Sequence, residues 1–271
     1  MHTHEHRVQY GSRKDQFDIY PLGDIHAGVV HCAEKQIKSK VREISENPFA
    51  LWIGMGDLAD CITPADRRWD DSVIAPWVDR QNIAESCRKW LVNLFAPIKD
   101  KCIGILEGNH ELTMRKTLHV KLTENICGDL GVPYLGYSCF VLFKFSRLKG
   151  GSVTSLIGHF SHGSGWAQTE QGVANRLKKN ASNNVCDFHA SGHLHRIYNI
   201  EDRALVLKNT NGNGFEIAEA KRPAVCTGSW LQSYKHGEYP SYAEQRGYDP
   251  TPIGCPIISI TPDKGLIEVT T

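Results

Sequence analysis

The chain has 271 residues, 41% of them hydrophobic, and its 31 basic and 30 acidic side chains leave a net charge of +1. That length can bury a sizeable core in one large domain, while the balanced charge excludes a global attraction to nucleic acid or anionic membrane, so a nucleic-acid partner would need a local basic patch. Nine cysteines with no C-x-x-C pair argue against a disulfide framework or a zinc ribbon and point to a cytoplasmic location; no run approaches the roughly 18 apolar residues of a membrane span, so no membrane partner is expected.

In chain order, residues 1–16, with alternating histidines at His2, His4 and His6, read as a flexible N-terminal arm. Residues 17–271 read as a single domain, since no linker or internal repeat interrupts them. Phe17 to Leu22 is an apolar strand leading into Gly23-Asp24-Ile25-His26. In an extended backbone, residues two apart share a face, which would let Asp24 and His26 grip one ion. Ala33 to Glu46 is helical in composition and is stopped by Asn47-Pro48. A second buried strand, Phe49 to Ile53, delivers Gly56-Asp57 and, three residues on, Asp60.

The segment 61–81 is irregular and contains Arg67, Arg68, Trp69 and Trp77. These residue types suit either a phosphate and base contact surface or a solvated loop pinned to the core by its aromatics. An amphipathic helix from Asn82 to Phe95 follows, then the apolar strand Cys102 to Leu106, which ends in Glu107-Gly108-Asn109-His110-Glu111. Leu118 to Leu130 reads as helix. Beyond it the pattern changes to successive strands, with Tyr137 to Phe145 and Val153 to Ile157 forming an antiparallel hairpin. Gly158-His159-Phe160-Ser161-His162-Gly163 closes the second of these. A helix from Gln168 to Asn180 carries Arg176, Lys178 and Lys179, and a strand from Val185 to Ala190 ends in His193-Leu194-His195. The remainder is β-rich, with candidate strands at Ala204 to Lys208, Gly214 to Ala218, Ala224 to Gly228, Pro256 to Ile260 and Leu266 to Val269. A tyrosine-rich loop, 234–254, is placed near the cleft.

Five strand ends thus present Asp24 and His26, Asp57, Asn109 and His110, His162, and His193 with His195. Hard carboxylate, amide and imidazole donors without thiolates suit divalent ions such as manganese, iron or zinc, and the neutral amide of Asn109 is an unusual choice for a purely structural metal. His159 competes with His162 as the ligand on its strand.

The order Asp-x-His, Gly-Asp-x-x-Asp, Gly-Asn-His-Glu, His-Gly and Gly-His-x-His, over residues 17–196, resembles the calcineurin-like metallophosphoesterases. The resemblance implies a four-layer αββα sandwich with two mixed β-sheets and a dinuclear metal centre at the strand ends. Position by position it implies that Asp24, His26 and His195 hold one ion, that Asn109, His162 and His193 hold the other, and that Asp57 bridges them. It chooses His162 over His159 because Gly163 follows. His110 matches the family's catalytic histidine and Asp60 the acid that orients it. The implied cofactors are two divalent ions, manganese first, with iron, zinc or nickel as alternatives. The implied chemistry is in-line attack on phosphorus by a hydroxide held between ions about 4 Å apart.

Within that family, purple acid phosphatases carry a tyrosine at the position of Asp60, and protein phosphatases carry arginines at those of Cys61 and Glu107. Loss of both arginines weakens the case for a doubly charged monoester and favours a phosphodiester, with a nucleic acid or nucleotide as partner. Arg67, Arg68, Arg176, Lys178 and Lys179 are candidate backbone contacts, and Trp69 or Trp166 candidate stacking platforms. The alternatives are a phosphomonoesterase and a non-catalytic scaffold.

Overall fold

The structure is a computed structural model that describes residues 1–62, 69–151, 153–167, 169–209 and 214–271. Its centre is a pair of mixed β-sheets packed face to face, with helices on the outer faces. In the first sheet β2 (Phe17–Leu22), β3 (Ala50–Met55) and β4 (Cys102–Leu106) run parallel, and β10 (Ile257–Thr261) and β11 (Leu266–Thr270) extend it antiparallel in the order β11-β10-β2-β3-β4. Pro21 is tolerated inside β2 because β10 pairs only with residues 17–19, so the missing N–H costs no ladder bond on that side.

The second sheet has the order β1-β5-β6-β7-β9-β8, built from β1 (His2–Tyr10), β5 (Ser138–Arg147), β6 (Val153–Ser161), β7 (Phe188–Ser191), β8 (Ile197–Asn209) and β9 (Phe215–Thr227). β5 and β6 are antiparallel, as the turn composition predicts. Between the sheets lie Ile19, Ile53, Met55 and Ile103 from the first and Val141, Phe143, Phe160 and Phe188 from the second. This is the alternation expected where one face of each strand meets the other sheet.

α1 (Glu34–Glu46) buries Ile37, Val41 and Ile44, and α2 (Ile83–Phe95) buries Cys87, Leu91 and Phe95, against the outer face of the first sheet. These are the spacings of one helical stripe. Trp52 stacks on Phe95 at 4.5 Å and donates its indole N–H to the Ile98 carbonyl at 2.7 Å, so a large apolar group is buried with its polar edge satisfied. Burial of this kind contributes about 1.5–3 kcal/mol per large side chain. α3 (Asn109–Leu118) and α4 (Leu122–Leu130) lie on the same side, and α5 (Glu170–Asn183) covers the outer face of the second sheet through Val173, Leu177 and Ala181. A short turn of helix, α6 (Tyr242–Gln245), interrupts the loop 234–254.

Three expectations are corrected. The stretch expected to be a flexible arm is β1, paired in parallel with β5 from His2 opposite Cys139 to Tyr10 opposite Arg147. Its even-numbered residues form a period-two face that runs from histidine to Val8 and Tyr10. His6 packs edge-on against Phe143, and burial lowers its pKa to about 4. Polar composition concealed a strand because imidazoles occupy the inward positions. The helix expected over Leu118 to Leu130 starts four residues later, at Leu122, and an unforeseen helix, Asn109–Leu118, precedes it. The three short strands expected between 204 and 228 are the arms of one long hairpin, β8 and β9, in register from Ile197 opposite Thr227 to Asn209 opposite Phe215.

Among the described residues no helix is long and apolar enough to cross a membrane. All nine cysteines are unpaired thiols.

Candidate metal centre

The parallel strands β2, β3 and β4 end on one side of the first sheet, and β6 and β7 bring the second sheet's chain ends to meet them. The two are sewn together there: the Trp230 N–H donates to the Asp24 carbonyl at 2.9 Å and the His193 N–H to Asp24 Oδ2 at 2.9 Å. Loops leaving the carboxyl ends of parallel strands are the usual seat of a site in α/β folds.

The backbone departs from the extended form expected for Asp24 and His26. Among the described residues, seven non-glycine residues have positive φ, and five of them are Asp24, His26, Asp57, His193 and His195, with φ from 47° to 72°. The left-handed conformation costs a branched or bulky residue on the order of 1–3 kcal/mol and persists where surrounding structure enforces it. Asp24 and His26 still aim at the same place, because each turns out of its strand rather than continuing it, whereas His193 and His195 turn to different groups.

Two groups of ligand-type atoms result, each with members within 4.8 Å of one another: Asp24, His26 and His195, and Asp57, His162 and His193. A third, His26, Asp60 and His110, overlaps the first. In the first group, Nε2 of His26 lies 3.3 Å from Nε2 of His195, which is 3.2 Å from Asp24 Oδ1. That Oδ1 is buried and accepts no hydrogen bond. In the second, Nε2 of His162 lies 3.3 Å from Asp57 Oδ2 and 3.0 Å from Asn109 Oδ1. The structure therefore brings together all seven candidate ligands, Asp24, His26, Asp57, Asn109, His162, His193 and His195, in two clusters. Asp57 stands in the second of them.

Three histidines have one ring nitrogen committed to a protein acceptor. His162 Nδ1 faces the Met55 carbonyl at 2.8 Å, His26 Nδ1 faces Asp60 Oδ1 at 2.9 Å, and His193 Nε2 faces the Gly165 carbonyl at 2.9 Å. As the neutral ring, each must donate from that nitrogen, which turns the lone pair of the other towards the centre. This is the arrangement that fixes a metal-ligating histidine. For His162 the lone pair then meets two further acceptors, Asp57 Oδ2 and Asn109 Oδ1, and only a positive charge satisfies all three. Burial alone would lower the pKa of His162; the Asp57 carboxylate raises it instead, to about 9. Asp57, which burial would raise, is held well below the usual carboxylate range by His162 and His110. The donor set and the orphaned Asp24 oxygen fit a bound divalent cation.

Asp57 is fixed from both sides. Its Oδ1 accepts the backbone N–H of His110 at 2.9 Å, near the amino terminus of α3, whose dipole favours an anion. A Cβ on Gly108 would collide with the same Oδ1, so glycine is required at that position. Glu111, which the sequence reading did not single out as a site residue, accepts from the backbone N–H groups of Asp57 at 3.1 Å, Ala59 at 3.1 Å and Gly108 at 2.9 Å. It ties the two loops to each other. Burial and the nearby Asp57 raise its pKa to about 7. The available signal was its place three residues past Gly108 at a helix start, where a glutamate bonds back to free N–H groups.

Asp60 meets His26 as well as the expected His110. Its carboxylate holds His26, and Oδ1 is 3.5 Å from His110 Nδ1, whereas the Asp60 backbone carbonyl lies 2.6 Å from that nitrogen. Asp60 therefore orients His110 chiefly through its main chain and His26 through its side chain. His110 Nε2 is 3.9 Å from Asp57 Oδ2, at the edge of the centre.

The expected substrate contacts separate. Arg67 and Arg68 lie outside the described residues. Trp69 is partly buried against the core, which favours the pinned-loop reading over base stacking. Arg176 is turned inward: Nη1 donates to the Ser164 carbonyl and Nε to that of Trp166, each at 3.1 Å. Lys178 and Lys179 are exposed on α5 and do not line the cavity beside the metal ligands. Trp166 does line it, together with Tyr248 and Arg196.

The chain matches no protein-family model, and no curated protein matches it.

Proposed function

We propose that the chain is a dinuclear metal-dependent phosphoesterase of the calcineurin-like type, acting on phosphodiesters. The observation that carries this reading is the convergence of two carboxylate and histidine clusters whose ring nitrogens are locked with lone pairs inward. Asp24, His26 and His195 would hold one ion, Asn109, His162 and His193 the other, and Asp57 both. Manganese is the first candidate, because the donors are oxygen and imidazole without thiolate.

Divalent ions bound there supply the positive charge that lowers the pKa of water and neutralises phosphate oxygens. The reaction is hydrolysis. A water molecule releases one proton to solvent as its oxygen becomes bonded to phosphorus, the opposite ester oxygen departs with a proton from Nε2 of protonated His110, and His110 regains its proton from solvent. The Asp60 carbonyl holds the Nδ1–H of His110 and so points Nε2 at the centre. Among the described residues lining the adjoining cavity, Arg196 is the one arginine or lysine, and it stands 3.5 Å from Asp249. So little positive charge suits a diester's single negative charge better than a monoester's two.

The test pairs metal analysis of purified protein with hydrolysis of ethyl p-nitrophenyl phosphate, a diester, and p-nitrophenyl phosphate, a monoester, in manganese. The reading requires faster turnover of the diester. Turnover of the monoester alone would make the chain a phosphomonoesterase, and turnover of neither would favour a scaffold.

A further inference from the structure

A cavity of about 460 Å³ adjoins His193 and His195, lined by the loop between β6 and α5 and by the segment from 231 to 251. The first loop is held by its own network. Arg176 grips the carbonyls of Ser164 and Trp166, and His193 Nε2 bonds the carbonyl of Gly165 between them. Gly165 has a φ of 87°, and a Cβ there would collide with the Arg176 guanidinium. The cavity wall is thus joined directly to a metal-ligand candidate.

Trp166 is 60% exposed, yet its indole N–H is committed to the Tyr248 hydroxyl at 3.0 Å. Tyr248 is fixed in turn by Tyr234, whose hydroxyl donates to its carbonyl at 2.6 Å. An exposed indole whose polar edge is satisfied has only its ring faces left to offer, and ring faces take planar groups. Leu194 and Leu231 add apolar surface, and the Ser233 and Thr251 hydroxyls, which share one hydrogen bond at 3.4 Å, still offer one donor and free lone pairs to the edge of a heterocycle. The volume is that of a small-molecule pocket, enough for one such unit and not for a run of stacked bases.

We infer that this cavity seats a single nucleobase of the substrate against Trp166, with the attached phosphate at the metal ligands. The placement of the phosphate rests on the phosphodiesterase reading; the base seat itself does not require metal. Arg176 is then a positioning residue for the loop rather than a contact to a nucleic-acid backbone.

Isothermal titration of the full chain tests this with adenosine 5′-monophosphate, ribose 5-phosphate and phenyl phosphate, first in EDTA. The nucleotide should bind at least about fivefold more tightly than the other two, the lower end of what one stacked base contributes. Trp166→Ala should erase the difference, and Trp166→Phe should restore most of it. Equal binding of nucleotide and ribose phosphate, no detectable nucleotide binding, or an unchanged difference in Trp166→Ala overturns the base seat. Phenyl phosphate matching the nucleotide overturns the assignment to a nucleobase. Repeating the titration in manganese separates the two readings: if manganese neither tightens binding nor supports hydrolysis of the p-nitrophenyl diester or monoester, the metal reading fails while the comparison of ligands still decides the base seat.

Discussion

Strands β6 and β7 and the turns that leave them carry two pairs of histidines that differ in their surroundings. His159 and His189 face each other from neighbouring strands, with rings stacked at 4.7 Å and Nδ1 atoms 2.6 Å apart, and their Nε2 atoms have no hydrogen-bond partner. Burial lowers the pKa of His159 to about 4. Burial and the neighbouring His159 lower that of His189 to about 3, and no carboxylate is among the groups acting on either. A few residues further along, His162 and His193 meet Asp57, and His162 rises to about 9. Buried imidazoles alone make a neutral packing pair. Carboxylates opposite them, with the far ring nitrogens tied to protein acceptors, make a place for a cation. The contrast also bears on the choice between His159 and His162: His162 stands among the other ligand candidates, and His159 faces the outer side of its sheet.

The largest effect should come from Asp57→Asn, which removes charge from the centre of the ligand set. Diester hydrolysis should fall by more than about 10⁴-fold, beyond the range for a lost general acid. His189→Leu, in the neutral pair, should leave hydrolysis within about twofold. His110→Ala should lower turnover by about 10²- to 10⁴-fold, the range for a lost general acid, with metal content unchanged. Asp60→Asn weakens the hold on His26 and should reduce metal affinity about 10- to 100-fold, measured by competition with a chelator.

The smallest effect is a pair of opposite pH slopes in EDTA-treated protein, measured by urea unfolding. His162 has a folded pKa above the unfolded value of about 6.5, so its contribution is present below pH 6.5 and is lost as pH rises towards 9. For His159 and His189 the unfolded chain takes up protons near pH 6.5, while the folded chain resists until about 4 and 3. Stability from that pair is therefore lost as pH falls below 6.5. His189→Leu should flatten the acid slope and leave the alkaline one. Loss of the alkaline slope in His189→Leu would break the comparison.

Much of this was legible in the sequence. Apolar runs ending in glycine and an acid or histidine marked β2, β3, β4 and their ligands, because buried parallel strands leave a composition that survives without tertiary context. The grouping of His193 with Asp57 and of His195 with Asp24 was suggested by resemblance and not by periodicity, since both histidines sit in left-handed turns that no alternation rule describes. β1 was missed because histidines fill its inward positions, and Glu111 because its partners are main-chain N–H groups, which the sequence does not display. The hold of Arg176 on the loop was not foreseen because a surface cation in a helix gives no hint that a glycine opposite will admit its guanidinium.

Metal stoichiometry tests the central claim most directly. Protein equilibrated with manganese and freed of excess should retain two ions per chain as wild type and as His189→Leu, and fewer than two as Asp57→Asn. Wild-type protein that retains no metal, or metal lost equally from His189→Leu and Asp57→Asn, would contradict the account.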